Sequence, residues 1–390
     1  MITGLGVVSP VGADVETFWT ALLSGTTGVG EVESFDAFPF QVRIGCEVRG
    51  LELESAREPR PGRAALLAVA AGRQALVQAG LTESSRADVA LSIGTTMGES
   101  CWLEAWDPAD VRAGTVPAEE LVRSGPDQVG RDVAAELGLG GRVTVLAGAC
   151  AAGNYALGHA LDLVRLGRAD VVLAGGTDAF PRVAYTGFAR LGALAAEACR
   201  PFSDNRDGLV LGEGAALLVV ESATGAAARG AEPLAELAGI GLSCDAFHIV
   251  SPEPQGRGAV RAMAAALEDA GVGPGEIDYL SAHGTGTPAN DRSEVAAARA
   301  VFGLEGPPMS SIKAITGHGL GAASALEAVA CVQALREQVA PPTWNFNRSD
   351  PDCDWDVIPN EPRELELGIV LNNAYAFGGA NASLVLRAAA

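Results

Sequence analysis

The chain is expected to fold as an α/β protein in which buried strands alternate with helices. Short apolar runs typical of strands recur along it, separated by Ala-rich segments with helical periodicity. Repeated alternation of this kind favours helices layered on sheets whose strands are buried on both faces. The expected strands are residues 2–8, 41–48, 89–94, 142–146, 170–174, 215–221, 277–281, 368–372 and 382–387.

Two helices follow from the spacing of apolar residues. An apolar face that runs from Leu66 to Val77 predicts one helix, and a second face within residues 151–166 predicts another. Gly167 follows the second helix and is expected at its C-terminal cap.

The chain also shows a weak internal duplication. The half that ends near Ser222 and the half that begins near Pro233 each have the order strand, helix, strand, with a glycine-rich motif just after a strand. The link, residues 223–232, is polar and rich in Ala and Gly. We therefore expect two similar halves packed together, residues 1–230 and 231–390.

Composition argues against several functional classes. The chain has 390 residues with 48% hydrophobic content, enough for a large core, and no apolar run as long as a membrane span or a secretory leader. A net charge of −21 argues against broad contact with nucleic acid or anionic membranes. The first glycine-rich run, at Gly4, lacks the third glycine of a dinucleotide fingerprint. Seven scattered cysteines without a CxxC pair favour reduced thiols in the cytoplasm.

Cys150 is the candidate nucleophile. It lies in the sequence VLAGACAAG between an expected strand and an expected helix, where backbone N–H groups and the positive end of a helix dipole face the thiol. Such a position favours the thiolate. Taken alone, the same sequence is also compatible with a small buried cysteine packed among Ala and Gly.

Two of the four histidines lie in glycine-rich loops. His283 is in SAHGTGTP after an expected strand, and His318 is in KAITGHGLGA at the start of an expected long helix. Neighbouring glycines leave room for a substrate, and imidazole N–H groups can polarise a thioester carbonyl. His159 and His248 lack such loops and are assigned to packing or to the surface.

Together these motifs resemble the elongating β-ketoacyl-acyl carrier protein synthases of the thiolase superfamily. The resemblance covers nearly the whole chain through TGLGVVSPVG, GACAAG, CRPFSDNRDGLVLGEGA, AHGTGTPAND, SSIKAITGHGLGAA and NNAYAFGGANASLVL. It implies a thiolase-like layered αβαβα fold built from two similar halves.

The resemblance also implies a mechanism. Cys150 would take an acyl group from a phosphopantetheine thioester, with the N–H groups of Cys150 and Phe377 as the oxyanion hole. His283 and His318 would bind the malonyl thioester, promote its decarboxylation and stabilise the enolate that attacks the acyl group. The product would be two carbons longer. No metal or nicotinamide is required, because acyl carrier protein delivers both substrates.

Lys313 resembles the active-site lysine of the family. We favour an electrostatic and structural role, through pairing with a carboxylate such as Glu294, over proton transfer. Thr285 and Thr287 resemble the hydroxyls that hold the pantetheine arm, although turn-forming threonines would look the same.

Phe377 resembles a gate that rotates between acyl loading and malonyl binding. Gly378, next to it, would permit that motion, yet a buried aromatic residue needs no such role.

A cluster of arginines in this acidic chain is a candidate docking patch for the acidic carrier protein. A solvated surface cluster would have the same sequence. The arginines considered are Arg57, Arg60, Arg63, Arg200 and Arg206.

Residue types exclude several relatives. Degradative thiolases have a second cysteine near the C-terminal glycine turn, and CoA-primed initiating synthases have asparagine at the position of His318. Chain-length factors lack the cysteine that Cys150 supplies. The main alternative is a non-catalytic, chain-length-determining partner subunit of a ketosynthase heterodimer. Such a subunit would retain the triad of Cys150, His283 and His318 by descent.

Residues 101–126 depart from the family pattern. This segment carries Trp102 and Trp106, which we expect near the acyl pocket and the dimer boundary, where their bulk would restrict acyl shape. Fatty-acid elongation and a type II polyketide or polyene pathway both fit the sequence. The same holds for a homodimer and for a heterodimer with a chain-length factor.

Overall fold

The computed structural model describes residues 1–55 and 57–389. Strands and helices alternate along this part of the chain. The strands are β1 (Ile2–Val8), β2 (Val29–Glu31), β3 (Ile44–Cys46), β4 (Ala90–Gly94), β5 (Val143–Leu146), β6 (Val171–Asp178), β7 (Gly214–Glu221), β8 (Ala235–Cys244), β9 (Tyr279–Ser281), β10 (Met309–Ser310), β11 (Val339–Ala340), β12 (Arg363–Glu364), β13 (Ile369–Tyr375) and β14 (Ala380–Ala388).

The α-helices lie mainly between these strands. They are α1 (Val15–Ser24), α2 (Arg63–Gln78), α3 (Cys101–Glu104), α4 (Pro108–Ala113), α5 (Ala118–Arg123), α6 (Pro126–Leu137), α7 (Ala152–Arg165), α8 (Arg182–Arg190), α9 (Ala223–Ala228), α10 (Arg257–Ala270), α11 (Pro288–Phe302), α12 (Lys313–Thr316) and α13 (Ala323–Glu337). Within the described ranges, no helix is long and apolar enough to cross a bilayer.

Ten of the strands form two five-stranded arrays with the same pairing pattern. The first has the order β5-β4-β6-β7-β1 and the second β10-β9-β13-β14-β8. In each array the first three strands are parallel and the last two pair antiparallel. The pairing of Ile2 with Ala235 joins β1 to β8 and thus the two arrays.

Helices form three layers around the two arrays. The largest core cluster joins α7 and α13 to strands of both arrays, so these two helices are the middle layer. A second cluster packs α2 and α6 on the outer face of the first array, and a third packs α10 and α11 on the outer face of the second. This arrangement confirms the expected layered fold. The boundary at residue 230 stays a prediction.

The two central helices approach each other closely at Gly153. A Cβ atom on this residue would lie 2.8 Å from the backbone nitrogen of Ala325, a distance too short for any side chain. Glycine therefore lets α7 and α13 pack together at their N-terminal ends. Cys150 and His318 lie just before these two helices and are brought together by that crossing.

Each expected strand overlaps an observed one, but the expected set lacks β8 and the short strands β2, β10, β11 and β12. The face predicted for α2 is correct at Leu66 and wrong at Val77, whose side chain is 71% exposed. Gly167 has a left-handed φ of 60° one residue beyond the cap of α7, in agreement with its expected place. His318 precedes α13 instead of opening a long helix directly, because a 3-10 turn, Leu320–Ala322, lies between them.

Candidate active site

Cys150 lies in a sharp turn between β5 and α7. The turn Ala149–Ala151 is a 3-10 helix, and Ala149 has a φ of 49°, a conformation that residues with a Cβ rarely adopt. The strand, the turn and the helix together place the buried Cys150 side chain at the N-terminus of the central helix. This is the position that the sequence predicts.

The protonation state of Cys150 differs from the expectation. Burial raises the pKa of the thiol to about 11, although the Lys313 ammonium and the backbone N–H groups of Phe377 and Cys150 lower it. We therefore expect a protonated thiol in the free protein at neutral pH, in contrast to the thiolate that the sequence predicts. Desolvation of the buried thiol outweighs the Lys313 charge and the two backbone N–H groups.

His283 follows β9 and is held by its backbone. Its N–H donates to Oε1 of Glu294 at 2.7 Å, and the N–H of Gly284 donates to Oε2 of the same carboxylate at 2.8 Å. Glu294 lies on α11, so that helix fixes the loop carrying His283. The imidazole ring is edge-on to that of His318, with ring centres 5.4 Å apart.

His318 is held by the other half of the chain. Its N–H donates to the carbonyl oxygen of Val210 at 2.7 Å, and its own carbonyl accepts from Gly212 at 2.9 Å. Val210 and Gly212 belong to the segment DGLVLGEGA, one of the sequence motifs of the resemblance. Backbone pairing between the two halves thus positions the second histidine.

Lys313 is fully buried and contacts His283 directly. Its Nζ donates to the His283 carbonyl oxygen at 2.7 Å and lies 3.4 Å from Nδ1 of the same residue. It also forms an ion pair with Glu327 of α13. The prediction that Lys313 pairs with Glu294 is wrong, because the Glu294 carboxylate accepts hydrogen bonds from the N–H groups of the His283 loop.

The contact between Lys313 and His283 sets the tautomer of the imidazole. An ammonium group has no lone pair, so Nδ1 must accept and the ring proton must reside on Nε2. Burial, together with the Lys313 charge, lowers the pKa of both His283 and His318 well below 6.5. Both rings are neutral at pH 7 and able to donate from one nitrogen.

One cavity brings six of the predicted site residues together. It has a volume of about 230 Å³, and Cys150, both histidines and Phe377 line it. Thr285 and Thr287 also line it, and their hydroxyl groups bond each other at 2.9 Å.

Asn290, Tyr375 and Asp245 line the same cavity and were not singled out in the sequence. Tyr375 lies within the motif NNAYAFGG, which is the one available signal for it.

Phe377 lies at the mouth of this cavity. Its side chain is 39% exposed, and its ring centre is 5.5 Å from that of Phe188. Gly378 does not line the cavity among the described residues, but it has a left-handed φ of 83°, and a Cβ there would meet no atom within 4 Å. The backbone thus requires glycine for conformation and not for space. The gating role of Phe377 stays a prediction.

The two tryptophans lie elsewhere in this single chain. Trp102 stacks on the guanidinium of Arg123, whose Cζ is 4.0 Å from the ring centre, and lines a separate cavity of about 470 Å³ beside Arg60. Within the described residues, neither Trp102 nor Trp106 lines the Cys150 cavity. That they restrict acyl shape from a dimer boundary stays a prediction.

The candidate docking arginines separate into two groups. Arg57 and Arg60 are exposed, and Arg200 is partly exposed beside Glu197. Arg63 donates two hydrogen bonds to Glu213, which is buried, so its guanidinium is committed to the fold.

The docking prediction for Arg206 is wrong. Its side chain is 2% exposed and paired with Asp350 at 2.8 Å and Asp291 at 3.6 Å. The sequence shows a basic residue in a motif but not that two aspartates enclose it.

The remaining histidines lie outside the cavity. Nδ1 of His159 is 3.1 Å from the Ser92 hydroxyl, and Nδ1 of the exposed His248 accepts from the N–H groups of Val250 and Ser251. In the part of the chain that the structure describes, no three His, Cys, Asp or Glu side chains are grouped to hold a metal.

Sequence comparison matches almost the whole chain to one family. Residues 1–226 match the profile of the beta-ketoacyl synthase N-terminal domain and residues 234–347 that of its C-terminal domain. Nodulation protein E of Rhizobium sp. (strain N33) is 42% identical over 99% of this chain and 98% of its own. The 3-oxoacyl-[acyl-carrier-protein] synthase 2 of Staphylococcus aureus (strain COL) is 36% identical over 99% and 97%.

Structure comparison agrees. A solved structure described as the ishigamide ketosynthase/chain length factor superposes with a TM-score of 0.94 at 41% identity, covering 100% of this chain and 98% of its own. The resemblance found in the sequence motifs is therefore confirmed over both halves. This chain belongs to the beta-ketoacyl synthase family.

Proposed function

We propose that this protein condenses an acyl thioester with a malonyl thioester, both carried on acyl carrier protein. The observation that carries the proposal is the single cavity that holds a thiol, two neutral imidazoles and the N–H groups of Cys150 and Phe377 at the sulfur. Family membership supports the same reaction. The pathway can be fatty-acid elongation or type II polyketide or polyene synthesis.

In the first half-reaction, the sulfur of Cys150 attacks the carbonyl carbon of the acyl thioester. A carbon–sulfur bond to Cys150 forms, the bond to the pantetheine sulfur breaks, and the thiol proton passes to the departing pantetheine. The N–H groups of Cys150 and Phe377 stabilise the negative oxygen of the intermediate. Because the thiol of the free protein is protonated, proton loss accompanies the attack.

In the second half-reaction, His283 and His318 donate hydrogen bonds to the malonyl thioester carbonyl. The bond between the carboxylate and the α-carbon breaks, carbon dioxide leaves, and the electron pair becomes the enolate. The α-carbon then attacks the acyl carbon and displaces the Cys150 sulfur, which takes a proton from solvent water. The product is a β-ketoacyl thioester two carbons longer.

Lys313 has a supporting role in this proposal. It is enclosed by Glu327 and His283 and does not line the cavity among the described residues. Its position supports an electrostatic role, in which it fixes the proton of His283 on Nε2, over proton transfer to substrate.

The substrates would arrive on phosphopantetheine, with no bound cofactor. Thr285 and Thr287 line the cavity and are placed to hold the pantetheine arm. Arg57, Arg60 and Arg200 are the remaining candidates for docking the carrier protein.

The free cysteines of the described residues support a reducing cytoplasmic location. We propose a dimer, with a second copy or with a chain-length factor, because the similar ishigamide structure pairs a ketosynthase with a chain length factor.

The test is intact-mass measurement after incubation with a panel of acyl-carrier thioesters. The wild-type protein should gain one acyl mass, and Cys150→Ala should gain none while remaining folded. Cys244→Ala removes an exposed thiol and is the matched control that should still load. Equal loading of the Cys150→Ala protein, or no loading of the wild type by any thioester, would favour the non-catalytic partner subunit.

A further inference from the structure

Tyr375 is a side chain of the cavity wall that has no assigned role. It is the last residue of β13, is 8% exposed, and lines the Cys150 cavity. Its ring lies edge-on to His283, with ring centres 5.8 Å apart at an angle of 62°. The phenol is thus adjacent to the imidazole assigned to the malonyl half-reaction.

The Tyr375 hydroxyl is buried without a hydrogen-bond partner among the described residues. Only one other side chain of the cavity wall has such an atom in the described ranges, namely His318 at Nδ1. Buried polar groups are nearly always paired, and an unpaired one destabilises the free protein. The residues that carry these two atoms line the same cavity, and the hydrogen of a phenol needs an acceptor, which points to a ligand that brings one.

The charge of the cavity narrows the choice of ligand group. The described lining residues include no Lys or Arg, and Asp245 adds a negative charge. The nearest ammonium, on Lys313, is held by Glu327 and the His283 carbonyl. A malonyl carboxylate in this cavity must therefore be bound by neutral donors.

Several other polar groups of the wall already have partners. The hydroxyls of Thr285 and Thr287 bond each other, and the Asn290 amide donates to Asp291 at 3.1 Å. The Tyr375 hydroxyl is free of such contacts within the described residues. Burial raises its pKa well above 10, so the group is a donor at any working pH.

We propose that the Tyr375 hydroxyl donates a hydrogen bond to the carboxylate of the malonyl extender unit. This inference rests on the proposed condensation. A single neutral donor would orient the malonyl carboxylate. A cation would also stabilise the carboxylate strongly and so oppose the loss of carbon dioxide, which a neutral donor does not do. Carbon dioxide is a poor acceptor, so the bond is made in the ground state and lost during decarboxylation. Tyr375 keeps its proton throughout.

Tyr375→Phe tests the inference because it removes only the hydroxyl. Loss of a hydrogen bond to a charged group should raise the KM for malonyl-acyl carrier protein by about 10-fold or more, without lowering kcat. Acyl loading of Cys150 should be unchanged, and the melting temperature should not fall. Inhibition by the acetyl thioester, which lacks the carboxylate, should be equal for both proteins.

Tyr185→Phe is the matched control. Its hydroxyl is also enclosed but donates to the carbonyl oxygen of Val42 at 2.8 Å. That variant should lower the melting temperature and leave the KM for malonyl-acyl carrier protein unchanged.

Three results would overturn the inference. An unchanged KM in Tyr375→Phe means no contact with the carboxylate. A lower kcat at unchanged KM places the hydroxyl on the enolate oxygen instead. Equal losses of acyl loading and condensation mean that the ring only packs on His283. A wild-type protein that neither loads acyl groups nor releases carbon dioxide refutes the proposed function itself, independently of Tyr375.

Discussion

Nζ of Lys313 donates a hydrogen bond to the backbone carbonyl oxygen of His283 at 2.7 Å while forming an ion pair with Glu327. One ammonium group therefore connects α12, α13 and the loop after β9. Both charged side chains are 1% exposed, so neither can turn to water if the other is removed. The same contact that stabilises the fold sets the tautomer of His283.

Lys313→Met should destabilise the protein strongly. It leaves the Glu327 carboxylate buried without a cation, and breaking such pairs costs about 3–5 kcal/mol of unfolding free energy. Combining it with Glu327→Leu removes both charges, so the double variant should regain most of this loss. Urea unfolding of the wild type, the single variant and the double variant measures these differences.

The double variant also separates stability from chemistry. Since the Nδ1 of His283 loses its donor, the ring proton is no longer fixed on Nε2, and condensation should fall even in the stable double variant. Acyl loading should be affected less. Full condensation activity in that variant would show that Lys313 serves stability alone.

Alkylation of Cys150 should accelerate with pH and reach no plateau below pH 9. Its pKa of about 11 keeps the reactive thiolate scarce, so the rate with iodoacetamide should rise about tenfold for each pH unit. The Cys244→Ser background removes the exposed thiol, and peptide mass spectrometry identifies the modified residue. A plateau near pH 7 would instead indicate a preformed thiolate.

The sequence predicts the layered fold and the triad because their signals are local. The sequence does not predict strand β8, because small residues replace the β-branched residues that are usual in strands. Cβ atoms at Gly239 and Gly241 would lie 2.7 Å and 1.9 Å from the carbonyl oxygens of Ala266 and Ala262 on α10. The close packing of α10 on β8 therefore requires glycine at these positions, and glycine lowers the strand propensity by which β8 could be predicted.

Pairing partners are the part of the site that the sequence cannot supply. Glu294 and Glu327 are both buried glutamates near the motifs, and only the fold decides which one meets Lys313. Arg206 likewise resembles a surface arginine until two aspartates enclose it. The unpaired hydroxyl of Tyr375 depends on surroundings drawn from distant segments.

His283→Ala and His318→Ala should impair the malonyl half-reaction more than acyl transfer. Each removes one neutral donor to the developing enolate, and loss of one such donor lowers rates by about 10²–10³-fold. Release of carbon dioxide from malonyl-acyl carrier protein and acyl loading of Cys150 are measured separately. Equal losses in both, without unfolding, would mean that the imidazoles chiefly activate the thiol.

Two controls accompany this experiment. His159→Ala changes a histidine that bonds Ser92 outside the cavity and should leave both half-reactions intact. In the wild type, carbon dioxide release should not fall between pH 8 and pH 6.5. The His283 and His318 imidazoles are expected to be neutral across this range, because burial lowers the pKa of each well below 6.5.

We expect Glu99 to make the free energy of unfolding of the protein depend on pH. Its buried carboxylate accepts the backbone N–H groups of Ala64 and Ala65 at the start of α2, where Gly62 offers no capping side chain. A Cβ at Gly62 would lie 2.0 Å from the carboxylate, so glycine makes room for it. Burial raises the pKa of Glu99 to about 7 from 4.5, despite these two bonds.

Relative to the wild type, Glu99→Gln should therefore increase the free energy of unfolding more and more as the pH rises. The folded state holds the proton more tightly than the unfolded state, so the Glu99 contribution to unfolding free energy falls between about pH 4.5 and pH 7 and is constant above. Glutamine cannot ionise, and its amide oxygen still accepts from Ala65. Relative to wild type, the variant should gain up to about 3 kcal/mol between pH 5 and pH 8, measured by urea unfolding. Glu305→Gln, at an exposed loop position, should show no such trend. A stability difference independent of pH would mean that Glu99 is ionised in the folded protein throughout this range.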